Sequence, residues 1–477
     1  MANEKIIDTA VGATDGQTKC PKCGATDIST NTTTGTLRCN FCRFEFKAEV
    51  LEDMKEGVDE NLSGVQVGSG AADIDANAET MITLKCTSCG AEVVINLNES
   101  SQARCHWCRN MLSVNNKVPN GMVPDTILPF KMKKDEARSR IEQFVGDRKF
   151  FANKKFASEF TTENIMGVYF PYMLVDMKGH ASFAGEGEIE RGSYQRKTGE
   201  DSTETVYKVE RFSVARECDV EVDDLPIESS SRRASGNNGE TNNIINAILP
   251  FDTENCVKYD SNYLKGFTSE KRDVNKGDLQ AIADSQEKEA VKFALNKSVS
   301  QYDRGVRWDK QEVTKQGEKW MAAYLPVWLY SYVENPGSSN QLTHYVAVNA
   351  RTSETIGSVP INKGRISSVS ALVGLIALVV SLLFIFLFMS EPGAGHFFGA
   401  IVVAIAAGGI FFSSKYNKYR NVSARHHFET ETKIKVSNIK QNDASVKKFE
   451  TTNSTMQNAN NTTVNVQKLN TKKKETK

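Results

Sequence analysis

Twenty-four consecutive residues from Ile366 to Met389 carry no charge and are dominated by Leu, Val, Ile, Phe and Ala. At about 1.5 Å per residue, a helix of that length crosses a hydrocarbon layer of about 30 Å with some tilt. Ser390-Glu391-Pro392-Gly393 then breaks the run, and a second apolar stretch follows from Phe397 to Phe412. It is rich in Ala and Gly, which lets one helix backbone approach another closely. The pattern predicts a hairpin of two transmembrane helices, over 366–389 and 397–414.

Upstream the periodicity changes. Ala137, Ile141, Phe144 and Val145 recur on one face of a helix predicted over Lys133–Val145, and a longer helix is predicted from Asp278 to about Asn296. Two apolar, aromatic runs, Gly167–Val175 and Tyr324–Tyr330, read as strands. Each contains a proline, which places it at a sheet edge or a bulge. Ile-Leu-Pro-Phe stands ahead of each helix, at Ile127–Phe130 and Ile248–Phe251. The order ILPF, helix, aromatic strand therefore occurs twice. It predicts a duplicated α+β domain over 120–362, with repeats at 120–245 and 246–362. Thr343–Val359 reads as a hairpin turning at Arg351–Glu354, while Gly185–Thr203 and Glu228–Asn243 read as loops or the tip of an extended hairpin.

Charge changes the picture through its distribution. Fifty-nine basic residues balance fifty-nine acidic ones, so no global basic field points to nucleic acid. Residues 49–80 are strongly acidic and contain Gly and Ala, the composition of a flexible linker. Residues 415–477 are rich in Lys, Asn and Thr and poor in apolar residues, and are expected to be disordered. So is the lead-in 1–16, which lacks the apolar core of a signal peptide. Lys363 and Arg365 precede the first apolar run, and Lys415, Lys418 and Arg420 follow the second, whereas the connecting turn has no Lys or Arg. The positive-inside rule then places both termini in the cytoplasm and the protein in the cell membrane as a multi-pass chain. Lysines of the basic tail would meet anionic lipid there, each contributing about 1 kcal/mol near the surface.

Ten cysteines supply the candidate chemistry. Cys20 and Cys23, then fifteen residues, then Cys39 and Cys42 form a pair of C-x2-C knuckles. Cys86, Cys89, Cys105 and Cys108 repeat that spacing at an offset of 66. The flanks repeat too: Lys19/Lys85, Gly24/Gly90, Ala25/Ala91, Arg38/Arg104, Phe41/Trp107 and Arg43/Arg109. Each knuckle aims two sulfurs at one ion, and the spacer suffices for a hairpin that completes a tetrahedron. Two zinc ribbons, 17–48 and 81–112, holding two Zn2+ ions, are the reading; scattered thiols or redox pairs leave the repeated flanks unexplained. Gly24 and Gly90 are placed to take a left-handed conformation just past the first knuckle. Thiolates committed to metal suit a reducing compartment. Cys218 and Cys256 read as ordinary small residues.

No catalytic pattern appears. The chain has no Gly-Lys dipeptide and hence no phosphate-binding loop, no H-E-x-x-H and no G-x-S-x-G. Tyr169, Tyr172, Trp328 and Tyr330 read as core aromatics. Taken with the ribbon, the strand motifs GVYFPYMLVD and YLPVWLYSY, the Val257–Phe267 segment and the apolar hairpin, the chain resembles bacterial membrane-associated proteins described as containing a transcription-factor-IIB-type zinc ribbon. The resemblance runs from about Cys86 through the hairpin. Some members of that family carry a primosomal-helicase label, from which this chain departs by lacking a phosphate loop and by having two ribbons. The expectation is a multidomain, non-enzymatic, membrane-anchored protein whose ribbons recruit a protein partner through Arg43, Trp107 and Arg109. Nucleic-acid binding through Lys22, Arg38, Arg43, Arg104 and Arg109 is the second reading, opposed by the acidic linker beside the ribbons.

Overall fold

The first aromatic run opens one much longer strand and the second lies in the later part of another. In the computed structural model they lie within Met166–Lys197 and Val306–Glu334, which pair antiparallel at the centre of a fourteen-stranded sheet. The structure describes residues 4–7, 20–23, 28–31, 36–46, 57–73, 82–85, 92–95, 103–105, 111–112, 117–119, 124–198, 203–230, 248–259, 261–264, 266–335, 342–388, 393–420 and 434–452. The register sets Tyr169 opposite Pro326, Phe170 opposite Leu325 and Pro171 opposite Tyr324. The two Tyr-x-Pro motifs therefore face one another across a local two-fold axis.

That arrangement explains the prolines. The outer neighbour of the first strand changes from Thr268–Glu270, paired at Val168 and Tyr169, to Thr203–Glu228, paired from Tyr172 onward. Pro171 falls in the gap. Pro326 likewise falls between the pairing of Ala323 and Tyr324 with Thr126 and Ile127 and that of Val327 with Asn349. A missing N–H costs nothing where no neighbour asks for it. Each proline sits at a local edge inside a central strand.

Both expected helices form, as Lys134–Gly146 and Lys276–Asn296, and the first buries Ala137, Ile141, Phe144 and Val145 as the periodicity requires. They cover the same face of the sheet at opposite ends, and each packs on strands of the other half. The first helix meets Val306–Glu334 and Leu342–Asn349, and the second meets Thr203–Glu228, together with Ile434–Thr451 and, within its own half, Val306–Glu334. The halves are interlocked in one sheet, so the two expected repeats are not separate units. The opposite face is covered by Leu128, Ile248, Leu249 and Phe251 from both ILPF segments. Arg351 ties these segments together, donating to the Pro129 carbonyl at 3.1 Å and the Asp252 carboxylate at 2.6 Å. The hairpin carrying Arg351 turns between Leu342–Asn349 and Thr355–Gly357, and Gly185–Lys197 is an arm of an extended hairpin paired with Thr203–Val214, with 199–202 outside the described residues.

Three expectations of disorder are corrected. Within the tail, Ile434–Thr451 forms a strand along Thr203–Glu228. Its apolar residues are scattered and of them Val436 packs against the core, while its polar groups match its neighbour: Lys435 meets Glu221 at 2.9 Å, Asn438 meets Asp219 at 2.7 Å, and Asp443 meets the fully buried Arg216 at 2.9 Å. Cross-strand polar pairs add to this modest burial in ordering the strand. In the lead-in, Glu4–Ile7 pairs with Gly64–Gly68. In the acidic linker, residues 57–73 are docked, with Leu62, Val67 and Ala71 buried. Asp125 holds this segment, since its carboxylate accepts from the Gly70 N–H at 2.7 Å and the Ala322 N–H at 2.8 Å. Gly68 is required here because a Cβ would lie 2.4 Å from that carboxylate.

The apolar helices run Lys363–Phe388 and Ala394–Arg420, so the second extends beyond its apolar core. Both are long and apolar enough to cross a membrane. They touch through small residues: a Cβ on Gly374 would come 3.0 Å from the Ala404 carbonyl, and one on Gly408 would come 3.0 Å from that of Ser370. Spacings of four, Ser370 to Gly374 and Ala404 to Gly408, form the close seam.

Asp125→Ala leaves two buried N–H groups unpaired and should lower stability by about 2–4 kcal/mol. Amide exchange across Gly64–Gly70 should accelerate in this variant. Unchanged exchange there would contradict the anchoring role of Asp125.

Candidate metal centre

A three-stranded sheet, ordered Ile28–Asn31, Thr36–Cys39, Glu45–Phe46, carries the first cysteine set. Cys39 ends the middle strand. The chain then reverses in a tight turn, with the Arg43 N–H donating to the Cys39 carbonyl at 2.8 Å and the Cys39 N–H to the Phe44 carbonyl at 2.9 Å. Closing it puts Arg43 at φ 59°, a left-handed position usually left to glycine. The left-handed residue thus follows the second knuckle; Gly24 and Gly90 lie outside the described residues.

The turn brings four sulfurs together. Cys20 Sγ lies 3.5 Å from Cys42 Sγ, Cys23 Sγ lies 3.6 Å from Cys39 Sγ, and all four lie within 4.8 Å of one another. A tetrahedron with metal–sulfur bonds of about 2.3 Å has edges of about 3.8 Å, so these thiols can hold one metal ion. Burial pulls the Cys20 thiol up, but the N–H groups of Cys23 and Lys22 and the thiols of Cys42 and Cys23 outweigh it and bring it down to about 7. The Cys42 N–H also reaches Cys39 Sγ at 3.5 Å. Donors aimed at sulfur stabilise the thiolate that a metal needs.

Leu37, Cys20 and Cys39 are buried beneath this centre, whereas Phe41 at the knuckle tip is 81% exposed. Arg43 and Phe44 are exposed beside it, and Lys22 lies over the Phe44 ring at 5.8 Å. Arg38 is drawn to Glu45 at 3.9 Å. The spacing of the cysteines pointed to the metal site; the exposure of Phe41 had no sequence signal beyond its place in the knuckle.

Of the second set, Cys105 is buried beside the Leu128 and Phe170 cluster. Cys86, Cys89 and Cys108 lie outside the described residues, as do Trp107 and Arg109. The surrounding hairpin, Ile82–Lys85 with Glu92–Ile95, is not a free knob. Val93 and Val94 pair with Glu270 and Ser269, which builds it into the large sheet. Cys218 and Cys256 are buried in separate clusters without a disulfide, and burial, with Asp219 adding to it, pushes the Cys218 thiol up to about 11. Tyr169, Tyr172, Trp328 and Tyr330 are all buried core residues.

Two carboxylate groups also gather in the domain, each beside a lysine. Asp284 and Glu287 meet Lys315 at 2.6 and 2.7 Å, and Glu318 also contacts it. Asp176, with Asp223 and Asp224 nearby, lies opposite Lys319 across the central strand pair. Burial and the neighbouring Asp224 push the Asp176 carboxyl up to about 8.

No family model matches the chain, and no solved structure matches it. It is similar to YdjG of Bacillus subtilis (strain 168), an uncharacterized protein, at 23% identity over 359 residues, covering 73% of this chain and 92% of that protein.

The buried Asp176 carboxyl gives a pH test. Its folded value near 8 lies above the unfolded value of about 3.9. The folded chain therefore keeps a proton that the unfolded chain loses, and stability falls as pH rises from about 4 to 8. Asp176→Asn preserves the acceptor for the Asp224 N–H and removes that loss. Its denaturation midpoint should match the parent near pH 4, and it should be more stable by at least about 1 kcal/mol near pH 9. An equal difference at both pH values would contradict the assignment.

Proposed function

We propose that the chain is a membrane-anchored zinc-ribbon protein that recruits a protein partner to the cytoplasmic face of the cell membrane. Zinc is the ion that best suits a closed set of four thiolates in a reducing compartment, and structural zinc contributes about 10 kcal/mol or more to so small a module. The Cys86, Cys89, Cys105 and Cys108 set is proposed to hold a second ion. The apolar hairpin crosses the bilayer, with Lys363, Arg365, Lys415 and Lys418 on the cytoplasmic side. No step of this role requires catalysis.

The observation that carries the reading is Phe41, 81% exposed on a turn where four sulfurs converge. An aromatic ring flanked by Arg43 and Lys22 has the composition of an interface anchor. Lys22, Arg38 and Arg43 would also serve phosphate contact, but the Glu45 ion pair occupies Arg38 and the broad hydrophobic ring favours protein.

Affinity capture from detergent-solubilised membranes tests this. Phe41→Ala with Arg43→Ala should lose the captured protein while metal content and membrane level stay unchanged. An unchanged set of captured proteins would refute the recruiting role, and a nuclease-sensitive complex would favour nucleic acid. A reporter active only outside the cell should fail at residues 1 and 477 and work near Gly393; activity at either terminus would overturn the topology.

A further inference from the structure

The short turn Lys149–Phe151 stands at the foot of both apolar helices and is not part of the metal centre. Phe151 is buried there, with ring centroids 6.3 Å from Phe411 and 6.0 Å from Tyr419. Its N–H donates to the Tyr419 hydroxyl at 2.9 Å, and its carbonyl accepts from the Asn362 N–H at 2.8 Å. Arg148 donates to the Lys418 carbonyl at 3.1 Å, and the Val359 N–H donates to the Tyr419 carbonyl at 3.1 Å. Two ring contacts and three hydrogen bonds thus pin Arg148 and Phe151 against the ends of both helices.

Phe150, next in the turn, faces outward. It is 56% exposed, and the Arg365 guanidinium lies 4.1 Å over its ring. Arg365 directly precedes Ile366, where the uncharged run begins. The turn is therefore fixed at the level where hydrocarbon gives way to headgroups. Lys149, Lys363 and Lys418 are exposed at the same level, and Asp147 is the only acidic residue between 147 and 155. An exposed ring set among lysines at that depth matches a zone that is apolar on one side and anionic on the other.

We infer that Lys149 and Phe150 form a bilayer-seating site, Phe150 burying its ring below the headgroups while Lys149 and Lys418 bind the phosphates of anionic phospholipids. This rests on the membrane-spanning reading of the hairpin. Free phosphate offers no cover for Phe150, so the ligand is the lipid surface. The soluble domain then sits on the membrane at a fixed height rather than swinging on a tether.

The test uses the full chain in vesicles of two parts phosphatidylcholine to one part phosphatidylglycerol, with fluorescence read as the difference from the parent. Val380→Trp, in the middle of the first apolar helix, reports insertion. Phe150→Trp should add blue-shifted emission that is quenched by lipids brominated on their acyl chains. Acrylamide quenching of that emission should rise about threefold when Lys149→Glu and Lys418→Glu are added, or when phosphatidylglycerol is left out. Quenching of the Val380→Trp emission without that of Phe150→Trp would overturn the seating site and leave the spanning hairpin standing. Absence of both would overturn both. Equal protection without phosphatidylglycerol would overturn the anionic-lipid assignment.

Discussion

Everything in the large sheet domain hangs on the antiparallel pairing of Met166–Lys197 with Val306–Glu334. The two strands come from different halves of the chain, and the helix preceding each packs on strands of the other half. Each helix thus completes its burial on the other half, although Lys276–Asn296 also packs on Val306–Glu334 of its own. The backbone hydrogen bonds of the pair and the apolar cover on its two faces thus form together. The prolines mark where each strand exchanges one outer neighbour for another, and so set where the flanking hairpins begin.

The same sheet connects the ends of the molecule. One contiguous buried cluster includes Cys20, Leu37 and Cys39 of the candidate metal centre, Phe130, Tyr169 and Trp328 of the sheet, and Phe151, Ile366 and Tyr419 at the foot of the apolar hairpin. Inside it Phe130 stacks on Phe267 at 4.1 Å and meets Trp328 at 5.1 Å, and the Trp328 indole donates to the Met132 carbonyl at 3.0 Å. Close-packed aromatics resist sliding. The exposed knuckle at Phe41 is consequently carried on a solid body, in the proposed role a presenting surface at a set distance from the lipid.

Much of this was legible in the sequence where a residue type has a narrow physical use. Four cysteines at knuckle spacing meet, the helical stripe at Ala137, Ile141, Phe144 and Val145 is buried, and the uncharged runs are helices. What was illegible depended on partners far away in the chain. The strand Ile434–Thr451 looks like a solvated tail until its lysines are set beside Glu221 and Glu210. Residues 57–73 look like a linker until Asp125 is found to bind their backbone. Helix exchange between the halves leaves no mark on periodicity, because a helix stripe records that a face is covered and not what covers it.

X-ray absorption at the zinc edge, on the full chain purified under reducing conditions, bears most directly on the metal-centred account. The account predicts bound zinc with a first shell of sulfur alone, four atoms at about 2.3 Å. A shell containing nitrogen or oxygen, or a folded chain without zinc, would contradict it.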